Sequence, residues 1–163
     1  MPKAIIFDFD GVIVESVDIK KKAFAKLFEH EGSEIVGKVT AYHLKNSGVS
    51  RFEKFRYIYK EILKRDLSDD EFDDLCVRFS QLVADEVAAA SFVSGAREFL
   101  EHYYDVYDFY IASATPRDEL EGIIEKKNIS RFFKKIYGAP QKKSEIVRTI
   151  LAVNALMPED AVY

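Results

Sequence analysis

Cysteine, long apolar runs and a strong charge of either sign are all scarce in this chain, and each scarcity removes a class of protein. Among its 163 residues there is one cysteine, Cys76, so neither an intramolecular disulfide nor a cysteine-built zinc cluster can form. Cys76 stands at helical spacing beside Phe72, Leu75 and Phe79 and reads as a small core hydrophobe. The apolar stretch at the N-terminus is too short for a secretory leader or a membrane span. The cytoplasm is therefore the expected compartment, with no membrane partner. Lys and Arg number 24 against 28 Asp and Glu, a net charge of −4, which argues against a nucleic-acid partner because phosphate-backbone binding wants a basic surface. There is no internal repeat, low-complexity tract or Pro/Gly-rich linker. What remains is an ordinary globular balance, 48% hydrophobic and 32% charged, enough to bury a core without staples. The length suits one domain, or a core with one sizeable insertion.

The most informative segment is Asp8-Phe9-Asp10-Gly11, at the end of the apolar run Ala4-Ile5-Ile6-Phe7. Such a run, stopped by acid and glycine, reads as a buried parallel strand opening into a loop. Two carboxylates then stand at the carboxyl end of a strand, where open α/β sheets place their ligands. Like charges this close are costly unless a cation, a proton or a reacting phosphate balances them. An acidic turn after an edge strand is the plain alternative. Val12 to Ser16 reads as a second short extended stretch.

From there to about Ala90 the pattern is helical. Ala23, Phe24, Leu27 and Phe28 share one face, and Gly32 stops that helix. A weaker helical stretch covers roughly 34–45. Ser50 with Glu53 predicts a capping box for a third helix. Ser68, followed by Asp69, Asp70 and Glu71, starts a fourth in the sense the helix dipole favours. The character changes at Phe92-Val93-Ser94-Gly95. A helix through Phe99 and Leu100 follows, then a strand at 106–112. Next comes a helix with Pro116 at its first position, then a strand at 133–137 closed by Gly138-Ala139-Pro140, and a helix at 143–155. One strand, a helical insertion, then alternating helices and strands predict an α/β fold, a parallel sheet with helices on both faces.

Three sets of polar residues fall at three predicted strand ends: Asp8 and Asp10, then Ser113-Ala114-Thr115, then Lys142-Lys143. A carboxylate pair, a hydroxyl and an ammonium converging on one crevice describe a site for a phosphoryl group. At this point the sequence resembles the haloacid dehalogenase-like hydrolases, the branch of phosphoglycolate phosphatases and β-phosphoglucomutases. Ile5 to Val12 is similar to that superfamily's first motif, Ile111 to Thr115 to its second, and Gly138 to Lys143 to its third. The resemblance implies a Rossmann-like core of residues 1–15 and 91–163 with an α-helical cap inserted at 16–90. It implies a phosphatase acting on a small-molecule phosphate ester with Mg²⁺ as cofactor. Asp8 would be the nucleophile, and Asp10 the general acid and then base. Asp8 and the Asp10 backbone carbonyl would be metal ligands. Ser113 and the following amides would orient phosphoryl oxygens, with Gly11, Ala114 and Thr115 around the substrate. Lys143 matches a Gly-x-Pro-x-x-Lys spacing for the cationic residue, with Lys142 the alternative.

Gly48-Val49-Ser50-Arg51 resembles the family's cap loop, whose arginine in sugar-phosphate mutases meets the substrate's second anionic group. Arg51, with Lys45 and Lys54 beside it, would do so here. The alternative is that Arg51 and Lys54 solvate an exposed helix face. His43 reads as structural or as a surface residue. A phosphomutase and a catalytically inactive module stand as the other readings of the same motifs.

One departure from the family bears on the metal. A fourth motif, an acidic pair after the fourth strand, has no counterpart. Pro158 to Tyr163 reads as the entry to that strand, and Glu159 and Asp160 precede it, at its opposite end. The expectation is a sheet with its C-terminal strands truncated, as in a shortened phosphatase. That leaves an unpaired edge near the first strand to which another chain can add, with the oligomeric state open.

Overall fold

The computed structural model describes residues 2–163. Four parallel strands form one sheet, β1 (Ala4–Phe7), β2 (Asp108–Pro116), β3 (Lys135–Ala139) and β4 (Ala161–Val162), in the order β3-β2-β1-β4. Between β1 and β2 lie α1 (Val17–Leu27), α2 (Ser33–Lys45), α3 (Arg51–Tyr57), α4 (Asp69–Ala89) and α5 (Ala96–Tyr103). Helix α6 (Arg117–Lys126) joins β2 to β3, and α7 (Lys143–Val153) joins β3 to β4. The α/β fold with a Rossmann-like parallel sheet is therefore as expected.

Side-chain alternation along the strands divides the helices between the two faces. Ala4, Ile6, Tyr110 and Ala112 pack with Ile146 and Ile150 of α7. Phe7 and Phe109 turn the other way, to Phe99 of α5. Leu120, Ile123 and Ile124 of α6 share that second core. The same core runs on without a break into α1–α4, whose buried Phe24, Phe55 and Phe79 pack ring against ring. Helices α1–α4 thus form a helical lobe at the sheet's carboxyl end, with a core continuous with that of the sheet. Ser68 caps α4 through the full capping box with Glu71, and Ser50 accepts from the Glu53 amide at the start of α3.

Several local expectations are corrected. The segment 12–16 is a tight turn, not an extended stretch. The Phe9 carbonyl accepts from the amides of Ile13 and Val14 at 3.0 and 3.2 Å, and only Val14 makes isolated strand-like bridges. The β-branched residues there follow burial of Ile13 and Val14 under the lobe rather than sheet pairing. Strand β2 runs on to Pro116, so Ser113, Ala114 and Thr115 lie within it, where its register with β3 shifts, and Pro116 is the N-cap of α6 rather than its first helical residue. The edge expected beside β1 is partly covered, because Ala161 and Val162 pair with Ala4 and Ile5. Asp160 ion-pairs with Lys3 at 3.0 Å, at the amino end of β1 and opposite Asp8.

Candidate active site

Three strand ends deliver the polar residues to one place. After β1 the chain turns at Gly11, whose φ of +74° suits glycine and where a Cβ would stand 2.9 Å from the Val17 side chain. That turn presents Asp8 and Asp10 to the same cavity. Asp8 Oδ1 accepts from the Phe9 amide at 2.7 Å, and Lys143 Nζ donates to Asp8 Oδ2. Lys143 is the first residue of α7, so the third strand end supplies the ammonium; Lys142 is exposed. Burial pulls the Lys143 pKa down, but the hydrogen bond and charge of Asp8 outweigh it and hold the ammonium above its ordinary range.

Asp10 is held from three sides. Ser16 Oγ donates to its Oδ1 at 2.6 Å, Lys20 Nζ to its Oδ2 at 2.6 Å, and Thr115 Oγ1 to Oδ2 at 3.1 Å. Lys20 also bonds Thr115 Oγ1 at 2.7 Å. Burial alone would raise the carboxyl pKa, yet the Lys20 charge and these hydrogen bonds outweigh it and keep Asp10 below the usual carboxylate range. Ser16 and Lys20 were not among the residues the motifs point to. The signal for Lys20 lay in the helical stripe, since it precedes the buried Phe24 by one turn and so shares the inward face.

Ser113 is fully buried, and its Oγ accepts from the Thr115 amide at 3.1 Å, fixing the strand end rather than lining the cavity. Ala114 and Thr115 do line it. On the lobe side, Arg51 and Lys54 are 5% and 2% exposed, so the reading of them as surface-solvating residues is overturned. Arg51 stacks on Phe79, donates to Ser80 Oγ at 2.8 Å, and pairs with Glu119 of α6 at 2.5 Å. His43 is buried, with its Nδ1 3.0 Å from Lys54 Nζ. Lys45 is exposed at the end of α2 and does not line the cavity.

The space between lobe and strand ends is about 40 Å³, room for roughly three or four waters at about 10–15 Å³ each. The lobe lies over the strand ends, and residues of both line this space. No group of three or more acidic, histidine or cysteine residues is arranged to hold a metal among the described residues. The donors that are present, one carboxylate and main-chain oxygen, are hard oxygen ligands. They fit Mg²⁺, which is commonly bound through one or two carboxylates together with substrate phosphate.

The family model of haloacid dehalogenase-like hydrolases matches residues 5–163. No sequence among curated proteins matches. Among solved structures, a β-phosphoglucomutase from Clostridium difficile superposes with a TM-score of 0.79 at 22% identity, over 99% of this chain and 74% of that one. A predicted phosphoglycolate phosphatase from Haemophilus somnus 129PT gives 0.73 at 17% identity, over 98% and 75%. CbbY from Rhodobacter sphaeroides, solved with xylulose-(1,5)bisphosphate, gives 0.75 at 18%, over 99% and 76%. These likenesses concern the fold, while the family match covers nearly the whole chain and contains every strand-end residue described above. The chain belongs to the haloacid dehalogenase-like hydrolases.

Proposed function

We propose that this hydrolase is a phosphatase that cleaves small-molecule phosphate monoesters through an aspartyl-phosphate on Asp8. The observation that carries the reading is the bond from Lys143 to Asp8 in the cavity shared with Asp10 and Thr115. Asp8 Oδ attacks phosphorus, forming the acyl-phosphate bond as the ester P–O bond breaks. The departing alkoxide takes a proton from Asp10. In the second half-reaction Asp10 takes a proton from water, whose oxygen attacks phosphorus and returns Asp8 as a carboxylate. Asp10 is ionised when bonded to Lys20, so the first step needs its pKa to rise. The approach of a phosphate dianion beside it acts in that direction. Lys143 offsets the repulsion between Asp8 and phosphate, which for two unit charges 4 Å apart is about 4 kcal/mol at an effective dielectric of 20. Ser113 and Thr115 fix the strand end whose amides face the phosphoryl oxygens. The Asp8 carboxylate and the Asp10 main-chain carbonyl would hold Mg²⁺, which supplies further charge neutralisation when bound. Residues 16–90 act as a cap over the core of 1–15 and 91–163, excluding water when closed.

Arg51, the residue that suggested a mutase, is paired with Glu119, which favours hydrolysis over phosphoryl return. The test uses leaving groups. Asp8→Asn should abolish phosphate release from every ester. Asp10→Asn should lose a hundred- to ten-thousandfold on alkyl esters, the usual worth of general acid–base help. It should keep measurable phosphorylation by nitrophenyl phosphate, whose leaving group needs no proton. Equal, complete loss in both variants contradicts these roles. Isomerisation of a hexose phosphate with little free phosphate indicates the mutase, and no turnover with Mg²⁺ in the parent chain indicates an inactive module.

A further inference from the structure

The donors around Asp10 are divided unequally between its two oxygens. Oδ1 accepts from Ser16 Oγ at 2.6 Å. Oδ2 accepts from Lys20 Nζ at 2.6 Å and from Thr115 Oγ1 at 3.1 Å. Lys20 Nζ also lies 2.7 Å from Thr115 Oγ1, which closes a triangle of hydrogen bonds. An ammonium only donates, so the Thr115 hydroxyl accepts from Lys20 and turns its own proton to Asp10. Each carboxylate oxygen offers about two lone-pair sites. Those of Oδ2 are therefore taken, while one on Oδ1 is open. The groups come from the turn after β1, from α1 and from the end of β2, and Asp10, Lys20 and Thr115 line one cavity with Asp8. The Lys20 and Asp10 side chains are 12% and 18% exposed, so little water competes for these bonds.

We propose that Lys20 is a positioning residue for the acid–base carboxylate: with Thr115 it saturates Oδ2 and leaves Oδ1 as the atom that exchanges a proton with the leaving group and then with water. The inference rests on the phosphatase reading, in which Asp10 is that carboxylate. As the ester P–O bond breaks, the proton on Oδ1 passes to the departing oxygen. In the second half-reaction Oδ1 takes a proton from the attacking water. A carboxylate bonded at both oxygens cannot turn about its last torsion without breaking those bonds, so its open lone pair keeps one direction. Lys20 suits this part because it stands one helical turn after Ser16, and the two reach the carboxylate from one face of α1. Misplacing a reacting group by about 1 Å costs on the order of a hundredfold in rate. A role limited to charge has the opposite sign for the first step, because a neutral neighbour makes the Asp10 carboxyl easier to protonate.

The test uses the full chain with Mg²⁺ and two esters: ethyl phosphate, whose alkoxide needs a proton, and nitrophenyl phosphate, whose leaving group does not. Lys20→Met should lower kcat on ethyl phosphate roughly ten- to hundredfold, with KM changed by less than about threefold. The nitrophenol burst, which reads phosphorylation alone, should fall far less. Thr115→Val removes the bridge, keeps the ion pair, and should show the same selective loss at smaller size; it carries the test if Lys20→Met does not fold. Lys20→Arg keeps a charge that can bond both partners and should recover part of the rate. Added to Asp10→Asn, Lys20→Met should cost less than about threefold more on either ester, since its effect runs through a carboxylate no longer there. Equal loss on both esters, a loss that persists beside Asp10→Asn, or an unchanged or faster reaction of ethyl phosphate overturns the assignment and leaves the phosphatase reading standing. If the parent chain turns over neither ester, the phosphatase reading fails and this inference with it.

Discussion

Ser16 stands at the N-cap of α1, where a serine normally bonds a free helix amide, but its hydroxyl goes to Asp10 Oδ1 instead. The helix forgoes a cap worth about 1 kcal/mol so that one helical turn, Ser16 and Lys20, grips both oxygens of one carboxylate. No rule of local propensity points to that choice, so Ser16 was legible in the sequence only as part of an extended stretch. Lys54 carries a larger cost and a measurable one. Burial, with the Lys20 and Lys143 charges added and Asp10 opposing, lowers its pKa from 10.5 to about 8. Below pH 8 the ammonium is charged in both folded and unfolded chains, and the fold bears the cost. Between pH 8 and 10.5 the unfolded chain binds more protons, so stability rises with pH, by on the order of 3 kcal/mol for this group. Denaturant unfolding at a series of pH values should show that rise in the parent chain and lose it in Lys54→Met. A parallel pH dependence in the two proteins contradicts the assignment of the buried charge to Lys54.

At the scale of elements, the strands and helices that could be read were those with one dominant period. The apolar run 4–7, the stripe of α1 and the acidic start of α4 each carry a single signal and lie where expected. The turn at 12–16 does not, because Val12, Ile13 and Val14 are β-branched for burial while the Phe9 carbonyl gathers their amides into a turn. The sequence pattern ends β2 short, at Ala112, because Ser113 and Thr115 look like loop residues. They lie in an irregular stretch of the strand, between the pairs Ala112–Tyr137 and Pro116–Ala139. That pairing brings Gly138 against the start of α6, where a Cβ would stand 2.5 Å from the Thr115 carbonyl and 2.8 Å from the Arg117 backbone. These are backbone atoms that cannot swing away. Gly138→Ala should therefore cost about 1–3 kcal/mol or more and displace Thr115 from Asp10, so that melting temperature and turnover fall together. A variant with unchanged stability would show that β2 and β3 are not this close.

Across the whole molecule, the lobe and sheet share one apolar core, and ion pairs cross between them, Arg51 to Glu119 buried and Lys126 to Asp85 exposed. No helix among the described residues is long and apolar enough to cross a membrane. The ordered motifs predicted which strand ends meet, because strand order in a parallel sheet brings carboxyl ends together whatever the loops do. They did not predict which cations are already spent, since Arg51, Lys45 and Lys54 look alike in sequence and differ only in what the fold sets beside them. The central claim is that Asp8 is the nucleophile, and trapping the covalent intermediate tests it most directly. The chain is mixed with nitrophenyl phosphate and Mg²⁺, quenched in acid within the first turnovers, reduced with borohydride to convert an acyl-phosphate into a stable alcohol, and mapped by peptide mass. The account predicts modification at Asp8 alone, absent from Asp8→Asn. Modification at another residue, or phosphate release that survives Asp8→Asn, would contradict it.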